Sequence, residues 1–410
     1  MKKLLLVLLI LSLFINHLNA NEKDLQIIQK DKKEYRLLEK ESIQTRQQSQ
    51  KYDWISPIDL SGNIGRNHSF SDENSRNLNN KNTKSASIGF TQSIFESGGI
   101  GFKMDYADNR FKYEMLSWEN QNSQLIYTIY NTLLDIKKLK LEINQNEYRI
   151  VNKDIELIIK KIEYEAGKTD IIELNNAIMS KNLIQKEEIA LKNSLKEKEQ
   201  ELAKYTDLKY DEIEILDFQE TNKEIFLDKN YSILEADAKV EMLNSEYKIK
   251  KSQYLPKLSL SAKASYSSQD EKFNSMISDT NKDDATSSGS LILSMPLYDY
   301  TKSSKIQESK IEVLKQKSLV NDLKNETAFE YEQIFTKIDT YLKQNETINK
   351  NIKLYEELIG ANKISSEAGM TSKYDLEILE NTKTINEFDI LINKINILQQ
   401  YAKLYFKIKN

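Results

Sequence analysis

Glu165-Ala166-Gly167-Lys168-Thr169, followed by Ile172-Glu173-Leu174, has a counterpart 202 residues later in Glu367-Ala368-Gly369-Met370-Thr371, followed by Tyr374-Asp375-Leu376. A single Gly-x-Thr carries no information. Here each copy closes a run of more than 60 residues without glycine or proline, from Gly101 to Gly167 and from Pro296 to Gly360. Glycine alone takes positive φ at low cost, so it commonly ends helices. The pattern predicts two very long helices that each reverse at a glycine, in a chain built from an internal repeat.

Working outward from the turns, both long runs carry a seven-residue grid. Ile129, Ile136, Ile143, Ile150, Leu157 and Tyr164 form the first, with Ile126 and Leu133 beside it. Ile306, Val313, Val320, Ile334, Tyr341, Ile348 and Tyr355 form the second, with Thr327 in the gap. Such grids are coiled-coil seams. At 1.5 Å per residue, a helix of about 65 residues is roughly 100 Å long, which no compact globular core requires. Ile171, Leu174, Ile178, Leu183, Ile189, Leu191, Leu195 and Leu202 mark the first returning helix, and Leu391, Ile395, Leu398 and Tyr405 the second, running to Asn410.

Two other stretches change period. Ile58, Leu60, Ile64 and Phe70 alternate with polar residues, as do Ala86, Ile88, Phe90 and Ile94, where Gln92 interrupts the apolar series. Residues 71–84 between them read as a polar loop. Leu258, Leu260, Ala262, Ala264 and Tyr266 alternate with Ser and Lys, and Leu291, Leu293, Met295 and Leu297 follow a polar loop from about Gln269 to Ser288, with Ile292 on the polar side. Period two predicts strands with one apolar and one polar face. A helix is expected over 21–53, and another from about Asn222 to Gln253 after a break at Asp207–Asp217.

Composition narrows the function. Glycine (10) and proline (3) are scarce, and the net charge of −4 gives no basic excess for nucleic acid. With no cysteine, disulfides, thiol chemistry and a Cys-based zinc site have no residues to use, and with only His17 and His68 a zinc enzyme or a Ser-His triad is nearly excluded. No cofactor, metal site or catalytic constellation is expected. Lys/Glu runs such as Lys192–Glu201 read as solvated faces. Residues 1–20 read as a secretory signal: Lys2 and Lys3, an apolar core over Leu4–Ile15, and Leu18-Asn19-Ala20 before cleavage. No other stretch is long and apolar enough to span a membrane as a helix, so any membrane entry must be as β-strands. Four strands do not close a membrane barrel, which needs about eight or more, so either they form a soluble sheet or several chains share one barrel; three chains would supply twelve strands.

The ordered set of motifs resembles the TolC family of outer-membrane efflux and secretion channels. It comprises Tyr254-Leu255-Pro256-Lys257-Leu258-Ser259-Leu260, Ser294-Met295-Pro296-Leu297-Tyr298-Asp299, Ser93-Ile94-Phe95-Glu96-Ser97-Gly98 and the two Ala-Gly-x-Thr turns. The resemblance implies a mainly α chain with a small β part. A long coiled-coil α-barrel would stand in the periplasm, and four transmembrane strands per chain would complete a twelve-stranded barrel in a homotrimer.

In those terms the segments are 1–20 signal, 21–56 N-terminal helix, 57–97 first β-hairpin, 98–206 first long helical hairpin, 207–256 equatorial segment, 257–298 second β-hairpin and 299–410 second long hairpin. The segment before the first strand is shorter than is usual in the family. The resemblance implies an outer-membrane exit duct. Its partners would be outer-membrane lipid, a periplasmic adaptor and an inner-membrane pump of RND or ABC type. The helix turns, with Tyr164, Gly167, Thr169, Gly369 and Thr371, would meet the adaptor; Ser366 stands where the second copy would repeat Tyr164.

The family closes its tunnel with acidic residues after the second turn. Asp375 matches the inner position, the next is Ile378, and Glu377 and Glu380 fall on other faces. Glu173 holds the equivalent place after the first turn. Both acids also suit a plainer reading, as solvated charges favoured by the helix dipole. The competing function is a periplasmic coiled-coil scaffold or adaptor without a pore, which would not need strands of lipid-spanning length; an enzyme is a distant third.

Overall fold

The computed structural model describes residues 25–69, 79–216, 218, 220–270, 282–367 and 372–409. The expected signal segment, residues 71–78 of the first loop and 271–281 of the second lie outside them. After a short 3-10 turn at Leu25–Ile27, the elements are α1 Lys30–Tyr52, β1 Asp59–Ser69, β2 Asn79–Phe95, α2 Gly99–Glu165, α3 Ile171–Leu202, α4 Lys223–Asp228, α5 Tyr231–Ser252, β3 Lys257–Asp270, β4 Lys282–Ser294, α6 Lys302–Glu367 and α7 Lys373–Tyr405. The long helices have 67 and 66 residues and the returning helices 32 and 33.

Three expectations are corrected. The strands run further into the polar loops than expected: β2 begins at Asn79, β3 reaches Asp270 and β4 begins at Lys282. Polar residues there remain paired across the ladder, since backbone bonds do not depend on side-chain polarity. The helix expected over 222–253 is broken at Lys229–Asn230, where Asn230 bridges Ile408, Tyr231 N–H donates to Lys407 O and Lys409 N–H to Lys229 O. The last helix therefore ends at Tyr405, because the following residues leave it to make this clamp.

Two compact units divide the chain: residues 41–115 with 236–320, and the rest. The first contains the sheet, antiparallel in the order β1-β2-β3-β4, so β1 and β4 are its edges. Register puts Leu60, Ile88 and Ala264 in one row with Ser287, and Gly62, Ala86 and Tyr266 in the next with Ala285. Intervening rows carry Ser61, Ser87, Ser265 and Thr286, then Asn63, Ser85, Ser267 and Asp284. One face is thus apolar and the other dominated by hydroxyls. A bulge between Ser93 and Phe95 brings Phe95, not Ile94, opposite Leu258. Gln92, the polar interruption, donates to Trp54 O at 3.0 Å and accepts from Ser56 N–H at 2.9 Å, so it fixes the approach to β1.

In the other unit the long hairpins form a helical layer in the order α6-α7-α2-α3. Asn393 Nδ2 donates to Asn345 Oδ1 across α7–α6, and Gln145 Nε2 donates to Asp389 Oδ1 across α2–α7. Lys181 pairs with Asp154 across α3–α2 at 2.6 Å. Buried stripes follow the seven-residue grids at Ile129, Ile136 and Ile143 in α2 and at Ile334 in α6, with Thr327 too, although it is the gap in the apolar grid; Tyr164, at the end of the first grid, is exposed. From 339 to 359, only Tyr341, Asn345, Ile348, Ile352, Tyr355 and Ile359 of α6 are covered, a stripe one neighbour wide. In α3, Leu174, Leu191, Leu195 and Leu202 join such a stripe, whereas Ile171, Ile178, Leu183 and Ile189 are exposed. The outermost helices therefore keep a bare apolar side.

A compact core in this unit joins Phe226 of α4 to Ile334, Ile338, Leu404 and Ile408, flanked by Tyr331, Phe335, Ile397 and Tyr401. Beside it, Lys403 and Lys407 both hold Glu330, at 2.7 and 2.5 Å. Burial pushes the Glu330 carboxyl up, but the hydrogen bonds and charges of the two lysines outweigh it and hold it below its ordinary value. A carboxyl lowered on folding adds stability above its unfolded range, about pH 4.3, and loses it as pH falls through the folded value. Glu330→Gln is therefore expected to lower the melting temperature at pH 7, with the loss shrinking below about pH 4. Heating scans at both pH values check this; an equal loss at each would mean that packing, not charge, is responsible.

Candidate functional site: the hairpin tips and the amphipathic sheet

The first tip is fully described. Gly167 takes φ +68° after the end of α2. Its N–H donates to Tyr164 O at 2.9 Å, and Lys168 N–H donates to Glu163 O at 2.8 Å. These two bonds are the Schellman arrangement that uses up the last helical carbonyls, and a side chain at Gly167 would be strained. Asp170 then caps α3, accepting from Glu173 N–H at 2.9 Å. Tyr164 is 42% exposed, and Thr169 is half-buried. Tyr164, Gly167 and Thr169 thus lie together on one tight reversal.

Glu173 sits in the first turn of α3 with its Oε2 4.0 Å from Lys160 Nζ. Lys160 also holds Glu163 at 2.9 Å, and that hydrogen bond leads the causes that raise its pKa. Glu173 is therefore partly engaged by its own hairpin.

Gly369 and Thr371 of the second tip lie outside the described residues. From Ser372 onward the tip is clear: Ser372 Oγ caps α7 by accepting from Tyr374 N–H at 3.1 Å, and Asp375 N–H donates to Ser372 O. Asp375 is exposed, and among the described residues its carboxylate has no hydrogen-bond or ion-pair partner. Ile378 is half-buried, and Glu380 pairs with Lys363 at 3.2 Å, so neither extends an acidic set with Asp375.

Sequence reading missed the polar ladder between α2 and α7. Gln399 reaches Asn131 and Asp135, Gln145 reaches Ile385 O and Asp389, and Asn152 reaches Thr382 while accepting from Asn381. Asn131, Gln145 and Asn152 share one seven-residue grid on α2, and that spacing was the available signal. Buried amides fix the register between helices, because a slipped register leaves them unpaired. The sheet's polar face holds a second unexpected series. Hydroxyls pair across strands at Ser61–Ser87 (2.8 Å), Ser265–Thr286 (2.8 Å), Thr91–Ser261 (3.1 Å) and Ser93–Ser259 (3.3 Å).

Among the described residues, no His, Cys, Asp and Glu group of three or more could hold a metal ion, and no helix is long and apolar enough to cross a membrane.

Comparison with known proteins agrees with this architecture. Residues 224–403 match the family of outer membrane efflux proteins. No curated protein sequence matches significantly. Among solved structures, the chain is similar to the outer membrane protein VceC of Vibrio cholerae, with a TM-score of 0.71 at 12% identity over 93% of this chain and 94% of that one. It is similar to the CmeC outer membrane channel of Campylobacter jejuni, with 0.70 at 13% identity over 93% and 86%. The open-state MtrE outer membrane channel of Neisseria gonorrhoeae gives 0.68 at 11% identity over 94% and 88%. The likeness to the TolC-type channels therefore rests on two independent findings, an outer-membrane-efflux-protein match across residues 224–403 and a fold shared with solved outer-membrane channels.

Proposed function

We propose that the chain is an outer-membrane exit duct, acting as a homotrimer that passively conducts substrates delivered by a periplasmic adaptor and an inner-membrane pump of RND or ABC type. The observation that carries this reading is the four-stranded sheet with one apolar face, one hydroxyl face and two unpaired edges. Leu60, Ile64, Leu291 and Leu293 stand exposed on the apolar face. Lipid suits that face but tolerates no open strand edge, so β1 and β4 must pair with other strands. Three copies joined edge to edge give a closed barrel with the hydroxyls inside.

The helical layer supports the same assembly. Its outer helices α3 and α6 carry exposed Met179 and Leu183 on one side, and Leu354, Leu358 and Ile364 on the other. A ring of three layers would cover both. In this reading residues 57–97 and 257–298 cross the outer membrane and the long hairpins extend into the periplasm. The turns at Tyr164, Gly167 and Thr169 and at Gly369 and Thr371 meet the adaptor. Asp375 forms the periplasmic gate, with Glu173 a weaker contributor because Lys160 already engages it.

Light scattering on the detergent-extracted protein, with detergent subtracted, is expected to give the mass of three chains. A monomer would end the shared-barrel reading and favour a periplasmic scaffold. Three unpartnered carboxylates around a narrow axis bind divalent cations. Asp375→Ala is therefore expected to weaken divalent block of single channels by about tenfold or more, about 1.4 kcal/mol per tenfold. Unchanged block would remove Asp375 from the gate.

A further inference from the structure

On the hydroxyl face of the sheet, Asp59, Gly89 and Lys263 lie side by side in one row of the register. Asp59 and Lys263 are two strand spacings apart, roughly 10 Å between Cα atoms. Gly89 between them has no side chain, and the packing enforces that: a Cβ there would lie 3.0 Å from Ala262 O and 3.3 Å from the Lys263 Cα. The result is an open notch of about 440 Å³, walled by Asp59 and Lys263 and floored by Ser61, Ser87, Thr91 and Ser261. Among the described residues, neither the Asp59 carboxylate nor the Lys263 ammonium has a hydrogen-bond or ion-pair partner, and both residues are exposed. The floor hydroxyls pair as Ser61–Ser87 and Thr91–Ser261, which leaves each pair one O–H and spare lone pairs for a ligand.

We infer that this notch is a binding site for a small zwitterion of amino-acid or dipeptide size, its ammonium on Asp59, its carboxylate on Lys263 and its amide or backbone atoms on the hydroxyl floor. The charge pattern selects this class. A simple cation or anion meets one attracting and one repelling wall. A neutral polyol gains no charge-assisted bond, the stronger kind. A zwitterion gains one at each end and lies across the notch in a single orientation. The site itself is formed within one chain; only its position in the channel lumen rests on the duct reading, where three copies would line the path.

Saturation-transfer NMR on the full-length protein in detergent tests it, with glycylglycine as probe at pH 7 and its N-acetylated, C-amidated form as control. Binding of glycylglycine is expected to exceed that of the capped form at least tenfold. Asp59→Asn and Lys263→Gln should each abolish most of the difference. The exchanged variant, Asp59→Lys with Lys263→Asp, should restore it, because a zwitterion binds equally well reversed. Equal signals from both peptides, no signal, or a preference untouched by either single substitution would overturn the site. Light scattering on the same samples reports the three-chain assembly separately, so loss of the site and failure of the duct reading are told apart.

Discussion

Phe226→Ala is expected to lower stability by about 3–5 kcal/mol, the usual cost of emptying a fully buried aromatic position. Phe226 is 0% exposed and is the contribution of the short helix α4 to the core formed with Ile334, Ile338, Leu404 and Ile408. Its ring lies 5.5 Å from Tyr331, whose own ring is 4.5 Å from Phe335. The cavity would open where α4, α6 and the residues after α7 are joined. Phe226→Leu keeps much of the volume and should cost less than about 1.5 kcal/mol. Ile225→Ala, on an exposed neighbour, should stay within about 0.5 kcal/mol. Helical signal followed on heating at a fixed scan rate orders the three variants. A loss for Ile225→Ala as large as that for Phe226→Ala would show that α4 matters as a helix, not through this ring.

The seven-residue grids and the period-two segments made the fold legible, because each is dictated by one strong requirement: a helix or strand must hide one side. Ile129 and Ile136 announce the seam in α2 as clearly as Leu258 and Leu260 announce β3. Breaks governed by a single tertiary contact were not legible. Nothing local in Lys229–Asn230 foretells that the chain after Tyr405 will bridge there. Strand ends at Asn79 and Lys282 were hidden because polar side chains mask backbone pairing.

Of the site, the Gly167 turn was readable since only glycine fits its φ. The engagement of Glu173 by Lys160 was not, because it depends on the angle at which two helices return past each other. The zwitterion notch needed the register: Asp59, Gly89 and Lys263 are far apart in sequence and become neighbours only across three strands.

Arg36→Ala should be nearly as costly as loss of Phe226, about 3–5 kcal/mol, because it strips one end from a buried network. The guanidinium is buried against the start of the inner part of α2. Its Nε donates to Asn122 Oδ1 at 2.6 Å, one terminal nitrogen to Glu39 at 2.5 Å and Gln121 at 2.9 Å, and the other to Trp118 O at 2.8 Å. Trp118 answers by donating its indole N–H to Arg36 O at 2.8 Å. Burial pulls the Arg36 pKa below its ordinary value, opposed by the charge of Glu39, yet a guanidinium remains charged throughout the working range. Removing it leaves Asn122, which is 0% exposed, without its acceptor's partner, and frees residues 30–40 of α1 from α2. The N-terminal segment is thus held by this network as well as by the buried Leu25, Ile28 and Ile43. Arg36→Lys keeps the charge but not the planar fork that serves four acceptors at once, so it should recover less than half of the loss. Melting curves give the energies, and limited proteolysis within residues 30–40 reports release of the helix. If the lysine variant resists protease and melts like the native protein, charge alone holds α1 and the geometric argument fails.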